Sequence, residues 1–207
     1  MKDTSGAQVL GRTSLKRLGI VMVPTVVAAG ALTVLMANGA IAVSFAISGQ
    51  TAQMTVGQLQ GKGFAQYGGI DKEANGTEVP VAVSAFKTAT ISNGLCQSVA
   101  TNLGPLGTYT LTLKASGGSA SDLIIDLQTL KASEADFNNI DIGIDASQIN
   151  TSAQSAQGSA GAFGQAADSA TLTNIQQVSN ATSAGTFDLQ GMSLGISKSA
   201  TGCIPAS

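Results

Sequence analysis

Thr108-Tyr109-Thr110-Leu111-Thr112-Leu113-Lys114 is the stretch that settles the fold class. Tyr109, Leu111 and Leu113 fall on one side of an extended chain, and the threonines and Lys114 fall on the other. Period-two alternation built from β-branched, aromatic and aliphatic residues marks a half-buried strand. The same pattern recurs outward from this stretch. Upstream lie Val43-Ser44-Phe45-Ala46-Ile47 and Glu78-Val79-Pro80-Val81-Ala82-Val83-Ser84-Ala85-Phe86. Downstream lie Leu123-Ile124-Ile125-Asp126-Leu127, Ile140-Asp141-Ile142-Gly143-Ile144, Ala170-Thr171-Leu172-Thr173-Asn174-Ile175 and the run from Thr186 to Ile196. Gly68-Gly69, Asn75-Gly76, Gly104-Pro105 and Ser116-Gly117-Gly118-Ser119 separate the runs and are expected as turns.

The reading is all-β, a β-solenoid or a β-sandwich following an N-terminal signal or anchor helix. A weak repeat bears on that choice. Phe137-Asn138-Asn139-Ile140-Asp141-Ile142-Gly143-Ile144 and Phe187-Asp188-Leu189-Gln190-Gly191-Met192-Ser193-Leu194-Gly195-Ile196 are both Phe-led and close on Gly-Ile. They read as two turns of a solenoid or two equivalent hairpins of a sandwich. Residues 146–169, rich in Ser, Ala, Gln and Gly, are expected as a low-complexity surface insert, with a short helix over Gly164–Ser169 as an option.

The N-terminus has a different character. Lys2, Arg12, Lys16 and Arg17 make it basic, and no charged residue occurs from Leu18 until Lys62. Leu18 to Met36 is apolar and is followed by small residues ending Ala40-Ile41-Ala42. A basic segment, an apolar segment and an A-x-A end describe a secretory signal peptide over residues 1–42. Its apolar run is also nearly long enough for a retained membrane anchor. Either way, Lys16 and Arg17 stay cytoplasmic and residues 43–207 form an exported domain, extracellular or anchored to the outer face of the cytoplasmic membrane. Without residues 1–42, the 207-residue chain keeps six lysines, no arginine and 11 acids, a net charge of −5. That balance and the missing Arg argue against nucleic acid and, on net charge, against an anionic lipid surface.

Cys96 and Cys203 are the two cysteines. In an oxidising compartment, with no redox motif around either, a Cys96–Cys203 disulfide is the economical reading. Catalytic possibilities are few. The chain has no His, which removes Ser-His-Asp and Cys-His units and any His-ligated metal. Gly191-Met192-Ser193-Leu194-Gly195 matches G-x-S-x-G, so Ser193 is the one nominal nucleophile, with Lys198 or Lys87 as its conceivable base. The flanking residues read as strand, however, whereas that elbow needs a strand-to-helix turn. Asp136, Asn138, Asn139, Asp141 and Asp145 offer oxygen ligands suited to Ca²⁺, but the order of a calcium loop fails and a solvated polar face is expected instead. Asp122, Asp126, Asp136 and Asp188 include no pair singled out by spacing for glycoside cleavage. Asn75-Gly76-Thr77 and Asn180-Ala181-Thr182 are glycosylation sequons by pattern. No cofactor and no metal is expected.

Five blocks occur in order: Gly63-Phe64-Ala65-Gln66-Tyr67-Gly68, Pro80-Val81-Ala82-Val83-Ser84-Ala85-Phe86, Leu95-Cys96-Gln97-Ser98, Phe137-Asn138-Asn139-Ile140-Asp141-Ile142-Gly143 and Ala184-Gly185-Thr186-Phe187. With them the chain resembles a secreted or membrane-anchored actinobacterial family of uncharacterised function, whose members often carry the automatic label "cholesterol esterase". The resemblance covers almost the whole chain and brings no catalytic residues. It implies export and, through the label, a lipid or sterol ester hydrolase. The residues themselves favour a non-enzymatic cell-envelope protein. Its neutral strand faces would bind membrane, lipid or other apolar material, or sister subunits.

Overall fold

The structure is a computed structural model and describes residues 49–150 and 157–204. The expected signal or anchor segment and the run Val43–Ile47 lie outside the described residues. Among the described residues nine strands follow one another: β1 (Ala52–Lys72), β2 (Glu78–Asn102), β3 (Thr108–Ala115), β4 (Gly117–Lys131), β5 (Glu134–Asn138), β6 (Asp141–Asp145), β7 (Phe163–Ser183), β8 (Thr186–Gln190) and β9 (Ser193–Ser197). Short 3-10 turns cover Gly104–Leu106 and Ala146–Gln148. Among the described residues no helix is long and apolar enough to cross a membrane.

Every pairing is antiparallel. The fold is therefore sandwich-like, the second of the two arrangements expected, and not a solenoid of parallel coils. β1 and β2 form one long hairpin. Its turn is closed by Asn75, whose Oδ1 accepts from the Thr77 N–H at 2.8 Å, and by Gly76 at φ 90°. Beyond this hairpin, the chain from β3 to β6 lies against the chain from β7 to β9 in one register, broken at Leu127 and shifted by one residue after Ile142. Thr110 faces Ser197, Ser121 faces Thr186, Lys131 faces Gln176 and Asn138 faces Ser169. The two Phe-led runs are β5–β6 and β8–β9. Neither is a hairpin, because each continues along one partner ladder instead of folding back on itself.

β4 pairs with β2 as well as β7, and β1 also pairs with β2 and β7. The hydrogen-bonded circuit β1–β2–β4–β7 thus returns to its start. The main core lies inside it, with Val56, Leu59, Phe64, Phe86, Ile91, Leu123, Ile125, Leu127, Leu172 and Ile175 all buried. A smaller cluster of Ala65, Ala85, Ala146, Ile149 and Ala166 covers part of the outer face.

Long strands enclose a core only if they bend, and irregularities along two lines across the sheet do this. On the first line, Gly57 of β1, Asn93 and Gly94 of β2, Ser116 between β3 and β4, and Asn174 of β7 drop out of the pairing. On the second, Gly63, Lys87, Asp122 and Asp168 do so. Asn93, Asn174, Asp122, Gly63 and Gly94 have φ between 48° and 90°. An extra residue in the left-handed region is the signature of a bulge, which bends a strand and re-aims the side chains beyond it. At each line the inward side chains change parity. In β1 they run Met54 and Val56, then Leu59, then Phe64. In β7 they run Ala167, then Ala170 and Leu172, then Ile175 and Gln177.

Three expectations about local structure need correction. Gly68-Gly69 is no turn; it pairs within β1 against Ala82 and Val81. Gly117 and Gly118 belong to β4, and a Cβ on Gly118 would clash with the Asp188 carbonyl oxygen. These glycines permit close approach of neighbouring strands. The insert expected over 146–169 ends before Phe163, where β7 begins. Gly164–Ser169 is strand and not helix, because its small residues fit against β1, with Ala166 opposite Ala65 and Ala167 opposite Phe64.

Candidate apolar cavity

The bends leave space inside the circuit. A cavity of about 260 Å³ is lined by Leu59, Phe64 and Gln66 of β1, Ser84 and Phe86 of β2, Ile125, Leu127 and Leu130 of β4, Phe137 of β5, and Leu172, Ile175 and Gln177 of β7. That volume lies a little below the roughly 300–1,000 Å³ of small-molecule pockets. Phe64 stands between Phe86 and Phe137, with ring centroids 5.3 and 5.2 Å away and the planes tilted. The remaining lining residues, Ala132 and Ala135, are exposed, as is Leu130. They mark a mouth between the end of β4 and β5.

The polar lining is neutral. The Gln66 side-chain amide donates to Ser84 Oγ at 2.7 Å and accepts from Gln165. Gln177 is buried and its amide points to Met54 Sδ at 3.6 Å. The cavity therefore suits a molecule with an apolar body and few polar atoms. It contains no acid, base or activated nucleophile. The sequence reading missed this site because Leu59 and Phe64 share an inward face only through the change of parity at Gly63. Gln66, Ser84 and Gln177 offered no apolar signal.

The expected site residues lie elsewhere. Ser193 is the exposed first residue of β9, opposite Lys114 of β3. It sits on a strand, as its flanking residues indicated, and has no strand-to-helix elbow around it. Lys87 is engaged with Asp122, Nζ to Oδ1 at 2.6 Å, at the second line of bulges. Among the described residues no group of three or more His, Cys, Asp or Glu gathers to hold a metal. Asp145 caps the turn after β6, accepting from the Ser147 and Gly161 N–H groups at 2.9 and 2.8 Å. Those backbone donors hold its carboxyl below the usual range. Asn138 and Asn139 bond to Ser169 and Asp168 across the ladder.

The acids named for glycoside cleavage are likewise dispersed. Asp122 is in its ion pair, and Asp188 of β8 faces Ser119 of β4. Asp126 has neighbours in sequence, Ile125 and Leu127, that line the cavity, while its own side chain is not part of the lining. Burial first, and the nearby Asp71 carboxylate second, push its pKa up to about 6. Tyr67 is raised by burial and then by Asp126. Asp71 accepts from Asn180 at 3.2 Å.

Cys96 and Cys203 form a disulfide, with Cα atoms 5.8 Å apart. It holds the C-terminal tail over the outer face of β1, β2 and β3. There the Cys203 N–H donates to Ser98 Oγ at 2.8 Å, and Thr110 Oγ donates to the Ser199 carbonyl at 2.6 Å.

Neither the curated proteins nor the solved structures contain a match to this chain. A family model does match, over residues 48–204, nearly all of the described domain. The chain belongs to the family of unknown function DUF6230.

Proposed function

We propose that this is a non-enzymatic protein of the cell envelope, exported through its N-terminal segment, that holds a lipid or another apolar molecule in the cavity of the β1–β2–β4–β7 circuit. The observation that carries the reading is the cavity itself, walled by aliphatic and aromatic side chains with Gln66, Ser84 and Gln177 as its uncharged polar points. A neutral lining accepts an acyl or sterol body without leaving a buried charge unpaired. The basic and apolar N-terminal segment and the disulfide support an exported location.

The test is uptake of an environment-sensitive fluorescent fatty acid, with lipid extraction and mass spectrometry of the exported protein alongside. Ala135→Trp, at the exposed mouth, should weaken uptake at least tenfold and leave the melting temperature within a degree or two. Absence of both co-purifying lipid and uptake by the wild-type protein would remove the proposal. The esterase label of the resembling family would require turnover of short or sterol esters that Ser193→Ala abolishes. Ser193 has no imidazole to act as its base, so no turnover is expected, and its observation would replace this reading.

A further inference from the structure

β3 and β9 extend beyond the closed circuit as a wing, and among the described residues nothing covers the core-side face at its outer strand. Leu111 stands opposite Ile196, and Leu113 opposite Leu194. The four side chains form one apolar block on a single face, since directly paired residues point the same way. Leu113 packs on the main core, whereas Leu111, Leu194 and Ile196 are 45%, 60% and 70% exposed. The 3-10 turn before β3 adds exposed Leu103 and Leu106. That turn adjoins the end of β9, where the Lys198 side chain lies within 3.3 Å of a Cβ built on Gly107.

We propose that this face of the wing is a membrane-docking surface, seated in the interfacial layer of an anionic lipid bilayer. The first argument is charge. The domain is net acidic, but its acids are on other elements: from Thr88 through the 3-10 turn and β3, and again along β9 and the tail to Ile204, the charged residues are Lys114 and Lys198 alone. Lys198 follows β9 at a bend and its side chain reaches Gly107, next to Leu106, so exposed apolar residues and a cation that can snorkel to headgroups are adjacent. A second exposed apolar pair, Ile142 and Phe163, lies beside Asp141 and Asp145 and lacks this complementarity.

The second argument is the path of the chain. Ala52, Val99, Leu111 and Ile196 are successive partners in one row across β1, β2, β3 and β9. Gly49, Gln50 and Thr51 gather beside Ala100 and Gly202 at the same end. The chain therefore enters the described domain, at Gly49, at the end that carries the wing. The proposal rests on the envelope reading above and does not need the cavity.

The chain has no Trp, so Ile196→Trp places a single reporter on the wing. In the full chain mixed with vesicles of phosphatidylcholine and phosphatidylglycerol, its emission should shift to the blue and be quenched by brominated acyl chains. Ile142→Trp, tethered by the same N-terminus, should stay unquenched. Lys198→Glu added to the reporter should weaken the quenching titration roughly thirtyfold, a charge reversal at the strength expected for lysines near an anionic surface. Equal quenching at both positions would overturn the proposal. So would an unquenched Trp at position 196 in protein that still takes up fatty acid, which would leave the cavity reading standing. A blue shift without vesicles that grows with protein concentration would overturn it in favour of a second copy pairing along β9.

Discussion

The closed circuit and the open wing are built from the same alternating sequence and end in opposite conditions. Leu59 and Leu172 of the circuit are 6% and 7% exposed, whereas Leu194 and Ile196 of the wing are mostly in water. Alternation assigns a side chain to a face of a sheet. Whether that face is covered depends on which distant strands return to it. β1 and β2 are covered because β4 and β7 close the circuit across them; β9 ends the strand order, and among the described residues no strand returns over it. The outer face of β3 shows a third condition, since it is covered by a tail that the Cys96–Cys203 bond holds in place.

The contrast is open to measurement. The largest expected effect is on the tethered face. Replacing both cysteines by Ser releases a link between positions separated by 107 residues, and chain entropy for a loop of that size predicts a loss of about 4–5 kcal/mol in denaturant unfolding. A loss below about 1 kcal/mol would mean that the tail's hydrogen bonds hold it without the bond. Next comes the circuit: Phe64→Ala removes the ring between Phe86 and Phe137 and should cost about 3–5 kcal/mol. Leu194→Ala in the wing, which removes three exposed apolar carbons, should stay within about 0.5 kcal/mol. Similar costs at the two positions would break the distinction between circuit and wing.

An effect smaller than that of the disulfide or of Phe64 depends on pH. Asp126 titrates near 6 in the folded protein against an ordinary 3.8. Between about pH 4 and pH 6 the folded state therefore binds more protons than the unfolded chain, and stability falls as pH rises through that window. Asp126→Asn should flatten the profile and raise stability above pH 6 by about 1–2 kcal/mol, the shift being discounted for a half-buried group. An unchanged profile would place the burden on other carboxylates.

The sequence made the strands and the disulfide legible, because alternation and a cysteine pair are local or nearly compositional signals. It did not make the corners legible. Asp122 and Asn174 read as ordinary polar residues in strand, yet their left-handed φ values of 48° and 51° reverse the inward face of β4 and β7. Strict alternation carried past those points assigns the wrong face. Gly68-Gly69 misled in the other direction, since glycine signals a turn and a close strand neighbour alike. The cavity was hidden for both reasons: its wall is drawn from both parities, and its mouth lies between strands brought together only by the shared register of β3–β6 with β7–β9.

The circuit also has a consequence for the order of assembly. Ala52 meets Val99 at the open end of the β1–β2 hairpin, but on its other side it meets Ser179, much farther along the chain. A polypeptide that emerges N-terminus first presents β1 with one edge waiting until β7 has been made. Contacts of such sequence separation slow folding and leave a sticky, half-paired sheet in the meantime. Truncation before β7 should therefore yield aggregate, and a holding chaperone during delivery would have its clearest target in the unmatched edge of the first strand.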